Sequence, residues 1–358
     1  MSQNSKLIFV INPGGTSTKI ALFENEKMLR SENIEHSVEE LNRFDRSVDQ
    51  ADYRLEVIKT VLASWGVREQ YLAAVVGRGG PFKAMIGGVY DVNDRMVDDV
   101  ESGKVATDHP SLLGCLLARR LAEPHSLPSY IIDPVSVDEF EDVARVTGIK
   151  GLQRVSLWHA LNSRYVARIA CERHGLEYKK TNLVVAHLGS GISISAHKQG
   201  RAVDVNNAND MGPFSPTRAG GLPATGLVKL CFKEGTDMKA LMKRLTKNGG
   251  VADLLGTSNL REVEDRAVAG EPEAALVWNA MTYQVCKEIG AMSIACCGPK
   301  LIVLTGGLAN SKKLVEDIRT MVGHLAPVEV IPGEMEMEAL ASGTLRVLNG
   351  LDEALSYT

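Results

Sequence analysis

Nowhere in the 358 residues does an apolar run approach the ~20 needed to cross a bilayer. The start, Met1 to Lys6, is polar and lacks the basic segment and long apolar core of a signal peptide, so a cytoplasmic protein with no membrane partner is expected. The six cysteines (Cys115, Cys171, Cys231, Cys286, Cys296, Cys297) include no C-x-x-C pair and sit mostly in apolar, helix-like contexts. That pattern fits buried thiols and gives no signal for disulfides, zinc or redox chemistry. A surplus of charge is also missing. A net charge of −4 and a pI near 6.1 give no global attraction to nucleic acid, so the expected partner is a small molecule. No linker rich in Pro, Gly or Ser and no low-complexity segment divides the chain. What is present is ordinary globular composition, 44% hydrophobic and 23% charged, in a length that exceeds one typical core and suits two domains.

Two glycine-rich loops lie about half a chain apart, Asn12-Pro-Gly-Gly-Thr-Ser-Thr-Lys19 and His187-Leu-Gly-Ser-Gly191. Each follows a short β-branched strand and leads into another. In such a turn, glycines and small hydroxylated residues let backbone N–H groups converge on an anion, a place a bulky side chain would block. Asn12 and Ser17 add groups that could reach a metal or phosphate, and Lys19 adds charge. The duplication points to two copies of one phosphate-handling unit.

The periodicity predicts strands at 7–11, 19–23, 28–34 and 73–77, a helix at 52–65, a helix at 111–123, a buried strand at 130–132 and an amphipathic helix at 157–173. The theme then repeats as a meander at 182–187, 192–197 and 201–205, followed by helices. The long helical stretch from Pro272 toward Cys297 carries Val277, Met281, Val285 and Ile289 at helical spacing, read as core or subunit interface. A buried strand at 300–304 runs into Thr305-Gly-Gly-Leu-Ala-Asn-Ser311 and a helix, and 336–348 is helical. The repeat alone sets a boundary near residue 150: an N-terminal domain 1–150, on which the terminal helix 338–358 packs, and a C-terminal domain 151–337.

The segment Val184-Val-Ala-His-Leu-Gly-Ser-Gly-Ile-Ser-Ile-Ser-Ala-His-Lys-Gln-Gly200 closely resembles the second phosphate motif of the acetate kinase family. Asn12 to Lys19 is similar to that family's first phosphate motif, Asn-x-Gly-Ser-Ser-Ser-x-Lys, but Gly15 and Thr16 replace two serines and remove one possible hydroxyl contact. Thr305 to Asn310 is similar to its adenosine-binding turn, and Arg78, His109, Asp133, His159 and Arg218 fall where the family has functional residues. Three stretches look more like the butyrate and branched-chain fatty-acid kinases of that family: Gly15-Thr16, Gly77-Arg-Gly-Gly-Pro-Phe82, and Glu334-Met-Glu-Met-Glu-Ala-Leu-Ala-Ser-Gly343.

The resemblance implies an α/β fold of duplicated ribonuclease-H-like domains, the actin-like ATPase, with nucleotide in the interdomain cleft. It implies reversible phosphoryl transfer from ATP, with Mg2+, to butyrate, isobutyrate or isovalerate, giving ADP and the acyl phosphate, by a homodimer or higher homo-oligomer. Alternatives are an acetate or propionate kinase and a non-catalytic actin-like nucleotide sensor. Nucleotide contacts fall by resemblance on Asn12, Gly14, Gly15, Ser17 and Lys19, on His187, Gly189, Ser190 and Gly191, and on Gly306, Gly307 and Asn310.

A carboxylate nucleophile is already ionised at neutral pH, so the chemistry needs charge neutralisation and alignment rather than a base. Arg78 sits in a glycine-rich turn and Arg218 follows the proline-limited loop Met211-Gly-Pro-Phe-Ser-Pro-Thr, and a guanidinium fork suits planar oxyanions. By resemblance these two orient the carboxylate and bridge to the γ-phosphoryl. His159, in a helix-like segment after Trp158, then donates to the transferring phosphoryl. His109, before Pro110, is a further catalytic candidate, although Thr107-Asp-His-Pro departs from the family's more apolar run. His187 is read as orienting its own loop. Asp133, before Pro134, either holds Mg2+ with Asn12 and Glu338 or caps a turn, and Glu334 and Glu336 offer competing registers for Glu338. Acetate kinases carry a bulky aliphatic residue where this chain has Gly80. The missing side chain is expected to enlarge an acyl pocket walled by Trp158 and Pro213, unless Gly80 serves only its turn.

Overall fold

The apolar runs that flank each glycine loop pair as antiparallel hairpins in the computed structural model, which describes residues 5–358; of the polar start, residues 1–4 lie outside the described residues. In the first half β1 (Leu7–Pro13) pairs with β2 (Ser17–Glu24), and β2 with β3 (Lys27–Glu35). On the other side of β1 lie β4 (Ala74–Arg78), parallel to it, then β6 (Ser129–Ile132), parallel to β4. Two short strands, β5 (Val89–Asp91) and β12 (Leu355–Ser356), extend that edge, giving a seven-stranded sheet.

The second half repeats the plan. β7 (Asn182–Leu188), β8 (Ile192–Lys198) and β9 (Arg201–Val205) form the meander, and β10 (Leu301–Gly306) then β11 (Val328–Pro332) add parallel to β7. The order β11-β10-β7-β8-β9 matches β6-β4-β1-β2-β3 strand for strand. This is the ribonuclease-H-like sheet laid down twice, the actin-like ATPase fold expected from the motifs. Strands β1, β4, β7 and β10 read as near-continuous apolar runs because helices cover both sheet faces in such folds.

The chain forms two compact units, 1–137 with 335–358, and 138–334. The division falls earlier than residue 150 because 138–150 belongs with the second sheet: Arg164 pairs with Glu139 at 3.0 Å and the Glu141 N–H donates to the Val203 carbonyl. In unit 1 the helix Leu113–Ala122 packs backbone to backbone on β4. A Cβ at Gly77 would lie 2.0 Å from the Gly114 carbonyl oxygen, and one at Gly114 2.1 Å from that of Arg78. In unit 2, Val277, Met281, Val285 and Ile289 of the helix Pro272–Ala295 are buried core. One helix differs from expectation at its start: it runs Ala160–Arg173, with His159 as the cap residue and Leu157–Trp158 outside it. Among the described residues no helix is long and apolar enough to cross a membrane.

Two buried histidines make the fold sensitive to acid. His36 lies between Thr18 Oγ1 (2.8 Å) and the Tyr53 hydroxyl (3.2 Å), and His197 between the Tyr178 hydroxyl and Ser195 Oγ, both at 2.8 Å. Burial pushes His36 down to about 4, helped by Arg54 and opposed by Glu40, and pushes His197 to about 3, helped by Arg164 and Arg168. Both are neutral in the fold but take up a proton near pH 6.5 once unfolded. Their contribution is whole above that pH and falls as pH drops, by up to ~1.4 kcal/mol per pH unit for each, down to their folded values. Denaturant titrations between pH 7 and 5 are expected to show this loss, and His197→Gln to remove one proton's worth of the slope.

Candidate active site

In unit 1 the register Ile11 to Gly77 to Ile131 lines up the ends of β1, β4 and β6. Asn12, Arg78 and Asp133 therefore leave the sheet at one edge, the carboxyl end of parallel strands, where open α/β sheets take ligands. Arg78 Nη2 lies 2.7 Å from Glu336 Oε1, Asn12 Nδ2 donates to Glu336 Oε2 at 2.8 Å, and Arg78 Nη1 donates to Asn12 Oδ1 at 3.4 Å. The carboxylate at this corner is thus Glu336 and not Glu338. The helix Glu336–Leu348 begins at that residue, and at ~100° per residue Glu338 is turned about 200° away.

Asp133 adopts φ +38° and is buried; its Oδ1 accepts from the Gly88 N–H at 2.8 Å while its own N–H donates to the Gly88 carbonyl at 3.0 Å. The turn-holding role is therefore real for one carboxylate oxygen. His109 caps the short turn Pro110–Leu112, with Nδ1 accepting from the Ser111 N–H at 3.2 Å, which leaves Nε2 as the protonated nitrogen. Burial first, then the Arg78 charge, holds its ring below the ordinary value, against Asp108. Asn12, Asp133 and Glu336 offer only hard oxygen donors, a set that fits Mg2+, which needs one or two protein carboxylates besides phosphate and water. Among the described residues no group of three His, Cys, Asp or Glu could hold a metal by itself.

Gly80 does not face an open space. A Cβ there would lie 2.7 Å from Leu112 Cγ and 2.8 Å from the Leu112 backbone nitrogen, and Leu112 is buried core. The enlarged-pocket role gives way to close packing of the turn against the backbone. Gly80→Val is accordingly expected to destabilise unit 1 by about 1–3 kcal/mol, read as a lowered Tm, with chain-length preference unchanged in the folded fraction.

In unit 2 the second loop closes the β7/β8 hairpin, and Leu188 registers with Ile192 across Gly189, Ser190 and Gly191. The 212–218 segment is bolted to it: Ser215 Oγ and Thr217 Oγ1 both donate to the Ser190 carbonyl, at 2.5 and 3.0 Å. Arg218 lies flat against the loop, so that a Cβ on Gly191 would meet its Nη1 at 2.5 Å and its Cζ at 2.7 Å. Its guanidinium has no hydrogen-bond or carboxylate partner among the described residues, and burial alone lowers it from its ordinary value. A desolvated cation facing a glycine loop is a site shaped for an anion.

His159 and His187 stack, with centroids 3.9 Å apart and planes 8° from parallel. His159 Nδ1 meets Ser193 Oγ at 2.8 Å. His187 is buried, with Nδ1 on Asn162 Nδ2 at 3.1 Å and Nε2 3.9 Å from Glu334 Oε1. Asn162 also donates to Thr305 Oγ1, which ties β7 to the end of β10. Gly306 there has φ +87°, and a Cβ would strike the Leu188 carbonyl at 2.4 Å. Asn310 Nδ2 donates to the Gly307 carbonyl, closing the turn on itself. Trp158 is buried edge-on to His197, and Pro213 is buried too. Asn162 and Ser193 were not singled out from the sequence, and Glu336 stood there only as a competing register for Glu338. Only Glu336 had a local signal, the alternation of glutamates at 334, 336 and 338.

The acetokinase family model matches residues 148–335. Over 98% of this chain and 99% of the relative, 46% of positions are identical to a protein of Caldanaerobacter subterraneus subsp. tengcongensis described as probable butyrate kinase 2. The solved acetate kinase of Porphyromonas gingivalis superposes with a TM-score of 0.80 at 22% identity, covering 96% of this chain and all of that one. A propionate kinase from Francisella tularensis subsp. tularensis does so at 0.75 and 17%, covering 94% and 98%. Those two likenesses bear on the fold, and the near-full-length relative and the family model bear on descent. The chain belongs to the acetokinase family, phosphotransferases whose acceptor is a carboxyl group.

Proposed function

We propose that this protein is a butyrate kinase, transferring the γ-phosphoryl of ATP to butyrate or a branched short-chain carboxylate and running the reaction in reverse to make ATP. The observation that carries the kinase reading is Arg218, a desolvated guanidinium with no carboxylate partner among the described residues, pressed on Gly191 of the second glycine loop. The near-full-length likeness to a probable butyrate kinase supports the acceptor. In this reading the loops at 12–19, 187–191 and 305–310 hold the nucleotide, Arg78 orients the carboxylate, and Arg218 and His159 neutralise and hydrogen-bond the phosphoryl. No side chain removes a proton, because the nucleophile is ionised at the working pH. When bound, Mg2+ would be held by oxygens of Asn12, Asp133 and Glu336 and would offset phosphate charge. His187, fixed through Asn162, supports His159 by stacking.

The protein works in the cytoplasm as a homodimer or larger homo-oligomer. The exposed Leu276, Tyr283 and Ile294 on the helix Pro272–Ala295 support self-association. Trapping acyl phosphate as the hydroxamate with Mg-ATP and butyrate tests the chemistry. ATP-dependent hydroxamate is expected, and ATP binding with no hydroxamate from any short acid would favour the nucleotide sensor.

A further inference from the structure

Arg54 is wholly buried, and among the described residues none of its hydrogen bonds goes to a carboxylate. It belongs to the helix Ala51–Ser64, and its guanidinium reaches the first glycine loop. Nη1 donates to the carbonyls of Gly14 and Ser17, each at 3.0 Å, and to Thr18 Oγ1 at 2.9 Å. Nη2 donates to the Gly15 carbonyl at 3.0 Å and to Gln50 Oε1 at 2.8 Å, and Nε to the same Gln50 oxygen at 3.0 Å. Every acceptor is a neutral oxygen. A buried cation satisfied only by neutral groups keeps an uncompensated charge, costly unless an anion comes near.

The peptide plane says where that anion belongs. Among the described residues there is no cis peptide bond, and in a trans peptide C=O and N–H point to opposite sides. With the carbonyls of Gly14 and Gly15 turned onto Arg54, the N–H groups of Gly15 and Thr16 face the other way. Neither N–H has a partner among the described residues, both residues are exposed, and a Cβ on Gly15 would meet nothing within 4 Å. The loop therefore presents two open donors on its outer face and a buried positive charge on its inner face. Burial also brings Arg54 down to about 10, the sign of a charge lacking a counter-ion.

We infer that Arg54 is a positioning residue for phosphoryl transfer, pinning the loop carbonyls so that the Gly15 and Thr16 N–H groups bind a phosphate of the nucleotide, whose charge neutralises the guanidinium across the loop. The inference rests on the kinase reading, and its deciding readout, Mg-ATP binding, does not depend on the acceptor. Mg-ATP binding is measured by calorimetry for wild type, Arg54→Met and Gln50→Glu, beside Tm. Arg54→Met removes both the fork and the charge and is expected to weaken ATP binding at least about tenfold and lower kcat/KM for ATP roughly 10²-fold, with KM for butyrate nearly unchanged.

Gln50→Glu keeps the fork and builds in the missing anion. It is expected to hold or raise Tm while weakening ATP binding about tenfold, opposite signs that a merely structural arginine would not produce. Wild-type binding retained in Gln50→Glu would overturn the inference, as would a folded Arg54→Met that binds normally. If Arg54→Met fails to fold, the Gln50→Glu result decides. Absence of ATP binding by wild type would instead remove the kinase reading, and this inference with it.

Discussion

Arg218→Met is expected to lower kcat by about 10³-fold or more while leaving Tm unchanged or slightly raised. One well-placed arginine contributes roughly 10³ to 10⁵ in rate where it neutralises a transferring phosphoryl. Here the guanidinium is already stripped of much of its water and lacks a partner among the described residues, so its charge is preorganised for an arriving anion. The same fact sets the stability prediction, since removing a desolvated cation that pairs with no described carboxylate forfeits no ion pair among the described residues. Arg218→Lys is expected to recover only a small part of the rate, because an ammonium does not lie flat on Gly191. Gly191→Ala is a second route to the same defect. Its Cβ would fall 2.5 Å from Arg218 Nη1, the end of a movable side chain, so the arginine shifts and the fold survives. A coupled assay of ADP release with a parallel melting curve checks all three.

Arg78→Ala is expected to cost at least about 10²-fold in kcat/KM for the carboxylate, with KM for ATP changed far less. Arg78 stands at the end of β4, aimed by the backbone contact of Gly77 with Gly114, and its Nη2 rests on Glu336. The acid competes with or joins that carboxylate, so loss of the fork falls mainly on the acid. The truncation also leaves Glu336 without its cation, although Asn12 still donates to it. Arg78 and Glu336 remain partly exposed, at 28% and 17%, so water softens the loss to about 1 kcal/mol. Arg78→Lys preserves a cation beside Glu336 and is expected to keep the fold while losing most of the rate, separating catalysis from stability.

The glycine loops and the duplicated meander were legible because their signals are local: a β-branched run, a turn of small residues, another run. The helix at 51–64 and the long one at 272–295 announced themselves by apolar spacing. What escaped was set by tertiary contacts. β5 and β12 are only three and two residues long, and β11 is a five-residue edge strand ending in Pro332, too short for a period to show. Glu334, Glu336 and Glu338 alternate with Met335 and Met337, and only the point where the helix begins decides which glutamate meets Arg78. Gly80 read as a missing wall because its Cβ direction, into Leu112, depends on how the 110–112 turn returns to it. Arg54 reads in sequence as one more charge on a helix, and its burial under a loop 37 to 40 residues away has no local mark. His159 had the right neighbours but the wrong state, a cap residue rather than a helical one.

The most direct measurement is kcat/KM with Mg-ATP for acetate, propionate, butyrate, isobutyrate and isovalerate under one set of conditions. A C4 or branched C4 to C5 acid is expected to give the highest value, with acetate lower by roughly tenfold or more, since each buried methylene is worth about 10- to 200-fold. Highest kcat/KM on acetate would contradict the butyrate kinase assignment while keeping the chemistry, and no turnover on any of the five would contradict both.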